Sequence, residues 1–398
     1  MSFMVDDLKS VACSTIDRCA TELNAIGRAI WNSPEIGNEE REAHRILTSF
    51  FKANGFDDVD EQFVLDTAFR AKGGRGEGPN VAIICEYDAL PDIGHACGHN
   101  LIAQAGAAAG IAVKAVLDKN PHLNARLTIL GTPAEESSGG KIDLIKAGVF
   151  DDVDAAMMVH PNSFSSTTAD FLSIHELLVT FTGKAAHAAA FPWEGVNALD
   201  AAVTAYNGLS MLRQQMKPTW RAHGIFTEGG IRPNIIPHRS QLNFYLRAPN
   251  DKELDVLIKK SINVFEASAR AHGCTVKIED ISHFSNLLRN STLMGSYAVN
   301  AKSIGMEMDI KDGSKPAGST DMGNVSYSTP SMHPMFSIGN AAKHTRAFAG
   351  LANTEHAYER TLIAAKAMAM TAIDVLTNST MRDSVKADFK AQLDEARA

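Results

Sequence analysis

Three short apolar runs alternate with helical stretches in the first 160 residues. The runs are NVAIIC at 80–85, LTILG at 127–131 and AAMMV at 155–159, and segments of helical period lie between them at 101–117 and 141–147. A short run of continuous apolar residues reads as a strand buried on both faces, and strands separated by helices lie parallel, because a parallel connection needs a long crossover. The fold class expected is therefore α/β, a mostly parallel sheet flanked by helices. Ahead of it, apolar residues recur at helical spacing from 6 to 31, stopped by Pro34, and a second helix covers 39–54, ended by Gly55. The segment GGRGEGP at 73–79 reads as a loop; it lacks the Lys-Ser/Thr ending of a phosphate-binding loop.

The pattern changes near Ile174. IHELLVTFTG reads as a strand, 196–216 as a helix, RAHGIFTEGG and SQLNFYLRAP as alternating antiparallel strands, 251–272 as a helix stopped by Gly273, and CTVKIEDI as a last strand. This β-α-β-β-α-β order is that of a ferredoxin-like unit. Helices return at 292–304, 354–376 and 381–396, around a short apolar run, MFSIG. The expected organisation is an α/β domain in two parts, 1–173 and 285–398, with a ferredoxin-like α+β domain inserted at 174–284. Exposed edge strands or helix faces on such an insert favour self-association, so a homodimer through it is expected.

Composition excludes several classes. At 398 residues and 45% hydrophobic, the chain can bury a large core, which argues against disorder. Its 38 basic and 46 acidic residues leave a net charge of −8, without the basic excess of a nucleic-acid binder. No stretch approaches 18 uninterrupted apolar residues, so no membrane span is expected. The N-terminus MSFMVDDLKS lacks the basic and apolar regions of a secretory signal, and five scattered cysteines make no disulfide framework, so the expected location is cytoplasmic.

Chemistry concentrates in a few places. In HACGH, Cys97 and His99 flank a glycine between a strand and a helix, and a tight turn can bring thiolate and imidazole onto one metal ion. In GTPAEES, Glu135 and Glu136 follow a strand; one can ligate a metal while the other acts as general base. His160 follows AAMMV, and His333 sits between prolines in PSMHPMF. Each has a plain alternative: a buried Cys with a loop His, acids starting a helix, ordinary loop histidines. Together, Cys97 and His99, Glu136 and His160 follow separate parallel strands at the same end, where α/β sheets bind ligands. A thiolate, imidazole and carboxylate set suits zinc, with manganese or cobalt as alternatives, and five candidate ligands suggest two ions about 3.5–4 Å apart. Two rival readings stay open. A cysteine hydrolase using Cys97 with a histidine base leaves the glutamate pair without a role, and a non-catalytic metal-stabilised protein leaves Glu135 without one.

At these residues the chain resembles the dinuclear-zinc metallopeptidase family that includes aminoacylase, carboxypeptidase G, carnosinase and acetylornithine deacetylase. It is most similar to the amidohydrolase branch whose shared ligand is a cysteine. EYDALPDIGHACGHNLIA and GSTDMGNVSY resemble the subgroup of cytosolic dipeptidases acting on β-alanyl-lysine and Xaa-Arg dipeptides. The resemblance implies that Cys97 bridges two ions, that His99 and His160 complete one, and that Glu136 and His333 complete the other. It makes Glu135 the general base and Asp88 the residue that orients a ligand. In GKAAHAAAFPWEGVNA it makes His187 an oxyanion stabiliser, supplied in dimers by the partner subunit, and it gives Asn234 and Arg247 the substrate's carbonyl or carboxylate. Asn100 and Glu86 depart from the Asp and the Arg of many relatives, which weakens hippurate or auxin conjugates as substrates. Asp321, twelve residues before His333, is expected either to pair with a substrate Lys or Arg or to cap a helix starting at Met322. The implied activity is metal-dependent hydrolysis of a small amide or dipeptide, with a basic C-terminal residue first. An N-acyl-amino-acid amidohydrolase is the alternative, and a catalytically silent peptide-binding paralogue is the reading from another class.

Overall fold

The computed structural model describes residues 2–167, 169–309 and 316–398. Helices α1 (Ser2–Arg18) and α2 (Ala20–Asn32) replace the single helical run expected at 6–31; the chain breaks helical geometry at Cys19, where ψ is 5°. After α3 (Arg41–Ala53), strands β1 (Asp58–Asp60) and β2 (Phe69–Gly74) form an antiparallel edge pair that the apolar runs did not announce. The buried centre follows: β3 (Asn80–Glu86), α4 (His99–Lys119), β4 (Arg126–Thr132), α5 (Gly140–Lys146) and β5 (Ala155–Met157). Strand β3 pairs in parallel with both β4 and β5, as the strand–helix alternation requires, whereas β2 adds to β4 antiparallel and makes the sheet mixed. All seven residues of β3 are buried.

Helix α4 packs across this sheet. It is long and apolar enough to cross a membrane by length and composition, but 89% of its apolar window is buried inside the protein. Its alanines and glycines let it lie close: a Cβ on Gly106 would sit 2.4 Å from Cys85 Sγ and 2.9 Å from the Ile84 carbonyl oxygen.

The chain continues through β6 (His160–Asn162) and β7 (Asp170–Phe171) into β8 (Ser173–Thr182), α6 (Ala198–Met211), β9 (Arg221–Glu228), β10 (Arg239–Ala248), α7 (Asp251–Ala271) and β11 (Thr275–Phe284). These strands form a four-stranded antiparallel sheet in the order β11-β8-β10-β9, the ferredoxin-like arrangement. Alternation sorts its two faces. Leu177, Val179, Phe181, Leu242, Phe244 and Leu246 turn toward α6 and α7 and build a core of their own, and the residues between them leave by the open face.

The last segment returns to the first sheet through α8 (Ser291–Ser303), β12 (Pro316–Gly318), α9 (Met322–Ser328), β13 (Ser331–Met332), β14 (Met335–Ser337), α10 (Arg346–Leu351), α11 (Glu355–Thr377) and α12 (Ser379–Arg397). Strand β13 joins the main sheet beside β5, and β14 pairs in parallel with β6.

Candidate metal centre

Strand ends and one glycine place the site. Chain leaving β3 passes Asp88 and reaches Cys97, Gly98 and His99, the first residue of α4. Gly98 has φ +82°, and a Cβ there would lie 2.6 Å from Pro161 Cγ, so a side chain would meet both strain and a clash. Chain leaving β4 reaches Glu135 and Glu136, and chain leaving β5 reaches His160. All three come from the carboxyl ends of neighbouring parallel strands, where α/β sheets hold ligands.

The hydrogen bonds leave metal-facing atoms free. His99 Nδ1 donates to Asp88 Oδ1 at 2.9 Å, and Asp88 Oδ2 accepts the backbone N–H of Glu136 at 2.8 Å. One carboxylate therefore aims both residues, in the manner of a carboxylate that orients a metal-bound histidine. His99 Nε2 is left buried without a partner, 3.8 Å from Glu86, 3.9 Å from Glu135 and 3.8 Å from Glu136. His160 Nδ1 lies 2.7 Å from the Pro161 carbonyl oxygen, which leaves Nε2 facing Cys97 Sγ at 3.5 Å. Among the described residues four groups of donor atoms lie within 4.8 Å of one another; His99, Glu135 and Glu136 form one, and Glu86, Glu135 and Asp321 another. The remaining two sets share the Cys97 thiol: Cys97, His99 and His160, and Cys97, Glu136 and His344. His99 Nε2, which makes no hydrogen bond, and Glu136 Oε1, 3.4 Å from His344 Nε2, converge beside Cys97 on a donor set that would fit a pair of divalent ions.

The electrostatics differ from donor to donor: burial acts downward on His99, but Asp88, by its charge and hydrogen bond, brings it well above the usual imidazole range, so an ion bound there would displace a proton. Burial holds His160 well below the usual imidazole range, as the neutral form a metal needs. Burial, then the charges of Glu86 and Glu136, pushes Glu135 well above the usual carboxylate range, so its carboxyl is poised to take up a proton. For Glu136 burial acts upward, but the hydrogen bond from His344 and the nearby His99 bring it below the ordinary value. Hydrogen bonds to Cys97 and Glu136 push His344 up to about 10.

The fifth ligand expected from the sequence is corrected. His333 belongs to none of these donor groups among the described residues. Its ring is buried and stacked on Phe171, with centroids 4.9 Å apart at 13°. His344 stands there instead. It follows β14 as the other donors follow their strands, and its backbone N–H donates to the Ala96 carbonyl oxygen at 2.9 Å, tying this loop to the one that carries Cys97. The signal in the sequence was its place after MFSIG; the nearer, proline-flanked His333 masked it. We expect His344→Ala to lose about one of two bound ions and His333→Ala to keep both, as measured by metal analysis of dialysed protein.

Asp321 is corrected as well. It is fully buried, and its carboxylate accepts Lys141 Nζ at 2.6 Å and the Lys141 backbone N–H at 3.1 Å. Lys141 Nζ also meets Glu86 Oε1 at 2.5 Å. The Asp321 carboxylate is thus engaged by Lys141, it is not among the residues that line the cavity beside the β8–β11 sheet, and it makes no side-chain capping bond to α9. This buried Glu86–Lys141–Asp321 triad was not anticipated.

A cavity of about 800 Å³ lies between the metal-facing residues and the open face of the β8–β11 sheet. Cys97, Glu135, Glu136, His160 and His344 line one side, and Arg221, His223, Tyr245 and Arg247 the other. Arg247 thus reaches the cavity, where its Nη1 donates to Ser319 Oγ at 2.8 Å. His187 and Asn234 do not line it. Both are exposed on adjoining loops, joined where the Ala188 N–H donates to the Asn234 carbonyl oxygen at 3.1 Å.

Thiolate, imidazole and carboxylate donors at sheet ends, beside a buried glutamate and a cavity, define a metal-dependent hydrolase. The chain belongs to peptidase family M20/M25/M40, whose profile matches residues 82–371, and it is a metallopeptidase. It is 48% identical to a mouse protein named Xaa-Arg dipeptidase, over 98% of this chain and 93% of that one. The human protein of that name is 46% identical over the same shares, 98% and 93%. A solved structure of an aminobenzoyl-glutamate utilization protein from Klebsiella pneumoniae shares the fold. Its TM-score is 0.72 at 18% identity, and the match covers 91% of this chain and 98% of that one.

Proposed function

We propose that this enzyme hydrolyses dipeptides whose C-terminal residue is basic, of the β-alanyl-lysine or Xaa-Arg type. The observation that carries this reading is the near-full-length identity to the two mammalian dipeptidases. The cavity is compatible with it: Arg247 and Arg221 form a cationic wall suited to a free C-terminal carboxylate.

Cys97, His99 and His160 would hold one ion, and Cys97, Glu136 and His344 the other. A thiolate shared by imidazoles and a carboxylate favours zinc, with manganese or cobalt able to substitute. When bound, such ions polarise a carbonyl and make water a better nucleophile near neutral pH. Glu135 takes the proton that the attacking water loses and delivers it to the leaving amine nitrogen, so that the C–N bond breaks as the N–H bond forms. Asp88 keeps His99 and the Glu136 backbone in register. Arg247 holds the carboxylate and so sets the position of the scissile bond.

A homodimer is part of the proposal. Strand β9 is a sheet edge, and Ile225 and Phe226 on it are 63% and 41% exposed, with Met211 on α6 at 74%. Pairing there would carry the exposed His187 and Asn234 to the partner's cavity, where His187 would steady the oxyanion and Asn234 the substrate carbonyl. All five cysteines are free thiols, which suits a reducing, cytoplasmic compartment.

The test is kcat/KM on a panel of matched dipeptides and N-acyl amino acids. Preference for Lys- or Arg-ended dipeptides supports the reading. Preference for N-acetyl or benzoyl amino acids replaces it with an aminoacylase-type hydrolase. Two bound ions without turnover of any member would make the chain a silent peptide-binding paralogue.

A further inference from the structure

We infer that Glu176, on the open face of the β8–β11 sheet, recognises the cationic side chain of the substrate's C-terminal residue. The inference rests on the basic-dipeptide reading and supplies what the correction of Asp321 removed.

The observation is a pair of cross-strand rows. In the row nearest the metal-facing residues, Arg221 pairs with Arg247, Arg247 with Ile174 and Ile174 with Phe284. In the next row, His223 pairs with Tyr245, Tyr245 with Glu176 and Glu176 with Ser282. Every member of both rows except Glu176 lines the cavity. Glu176 sits between two that do, Tyr245 and Ser282. Its chain neighbour Leu177 is fully buried on the helix side, so strand alternation sends the Glu176 side chain to the open face.

The carboxylate is oriented but carries an uncompensated charge. Oε1 accepts Asn243 Nδ2 at 2.8 Å and Oε2 accepts Ser282 Oγ at 3.1 Å. Both donors are neutral, and each oxygen keeps a lone pair for a further donor. Among the described residues Glu176 has no ion-pair partner.

Elimination points the same way. The acids that line the cavity are Glu135 and Glu136, committed to proton transfer and metal, and Asp321 is taken by Lys141. The rest of the wall carries Arg221, Arg247 and Lys343, which would repel a Lys or Arg side chain. The spacing also suits the substrate. Arg247 and Glu176 are diagonal cross-strand neighbours, about 7–8 Å apart at the backbone. A Lys or Arg with its α-carboxylate on Arg247 can extend its methylene stem along the sheet to Glu176. A charge-assisted bond there would select the basic residue.

The experiment compares kcat/KM for an Xaa-Lys or Xaa-Arg dipeptide with that for its neutral counterpart, Xaa-norleucine or Xaa-citrulline, in wild type, Glu176→Gln, Glu176→Asp and Glu176→Lys. Glu176→Gln should lower the basic-over-neutral ratio about 10- to 100-fold, mainly through KM of the basic substrate. Glu176→Asp should keep a preference, and Glu176→Lys should favour a Glu-ended dipeptide. A purely structural role would lower both substrates together and leave the ratio unmoved. An unchanged ratio in Glu176→Gln that still binds two ions overturns this assignment and leaves the basic-dipeptide reading intact. No basic preference in wild type overturns both.

Discussion

Glu135→Gln should lower kcat about 10²- to 10⁴-fold, the usual worth of a positioned general base, while the protein still binds two ions. The amide fills the same volume in a pocket where the carboxyl is 7% exposed, but it has no basic oxygen to take a proton. The check pairs steady-state kinetics with metal analysis of the same sample. Near-normal activity would remove Glu135 from the proton-transfer role, and loss of an ion would show that it helps hold the metal. The same variant tests the dimer. If His187 serves the partner's cavity, mixing inactive Glu135→Gln with inactive His187→Ala should restore part of the activity, because a mixed dimer has one cavity with both groups intact. Verified mixed dimers that stay inactive would confine His187 to its own subunit or to no catalytic role.

Lys141→Met should destabilise the protein by about 3–5 kcal/mol, the cost of removing one partner from a buried ion cluster. Lys141, Glu86 and Asp321 are each fully buried, and the single ammonium serves both carboxylates. Without it, two acids remain in a site that water does not reach, next to a third, Glu135, whose charge also acts on Lys141. Denaturant unfolding of the metal-free protein measures the effect. The double variant Lys141→Met with Asp321→Leu should be less destabilised than the single one, because it removes a carboxylate along with its counter-charge. Equal losses would mean that Lys141 contributes through packing alone.

The sequence by itself determined the architecture and most of the residues that cluster as candidate metal donors, through local and periodic signals. Continuous apolar runs such as NVAIIC encode strands buried on both faces, and their alternation with helices leaves parallel pairing as the available connection. Residues just past those strands, Cys97, His99, Glu135, Glu136 and His160, then fall at one end of one sheet, and a separation of only a few residues from a strand end limits where each can go. The β-α-β-β-α-β order was equally legible, because each strand of that unit keeps one apolar face. Strand β2 was not, since FRAKGG shows little hydrophobic pattern and owes its place to pairing with β4.

Only the tertiary structure decided which of two histidines joins the donor sets and what Asp321 touches. His333 and His344 lie eleven residues apart on either side of β14, and spacing does not say which loop folds back over Cys97. The backbone bond from His344 to Ala96 does, and it joins positions 248 residues apart. Asp321 and Lys141 are 180 residues apart, and no local pattern encodes their ion pair. The placement of Glu176 beside the cavity depends in the same way on strand register and on how the β8–β11 sheet faces the main sheet. Periodicity reports which face of an element is buried. Which two faces meet is set by packing between distant segments, where burial and charge neutralisation act on groups that only the folded chain brings together.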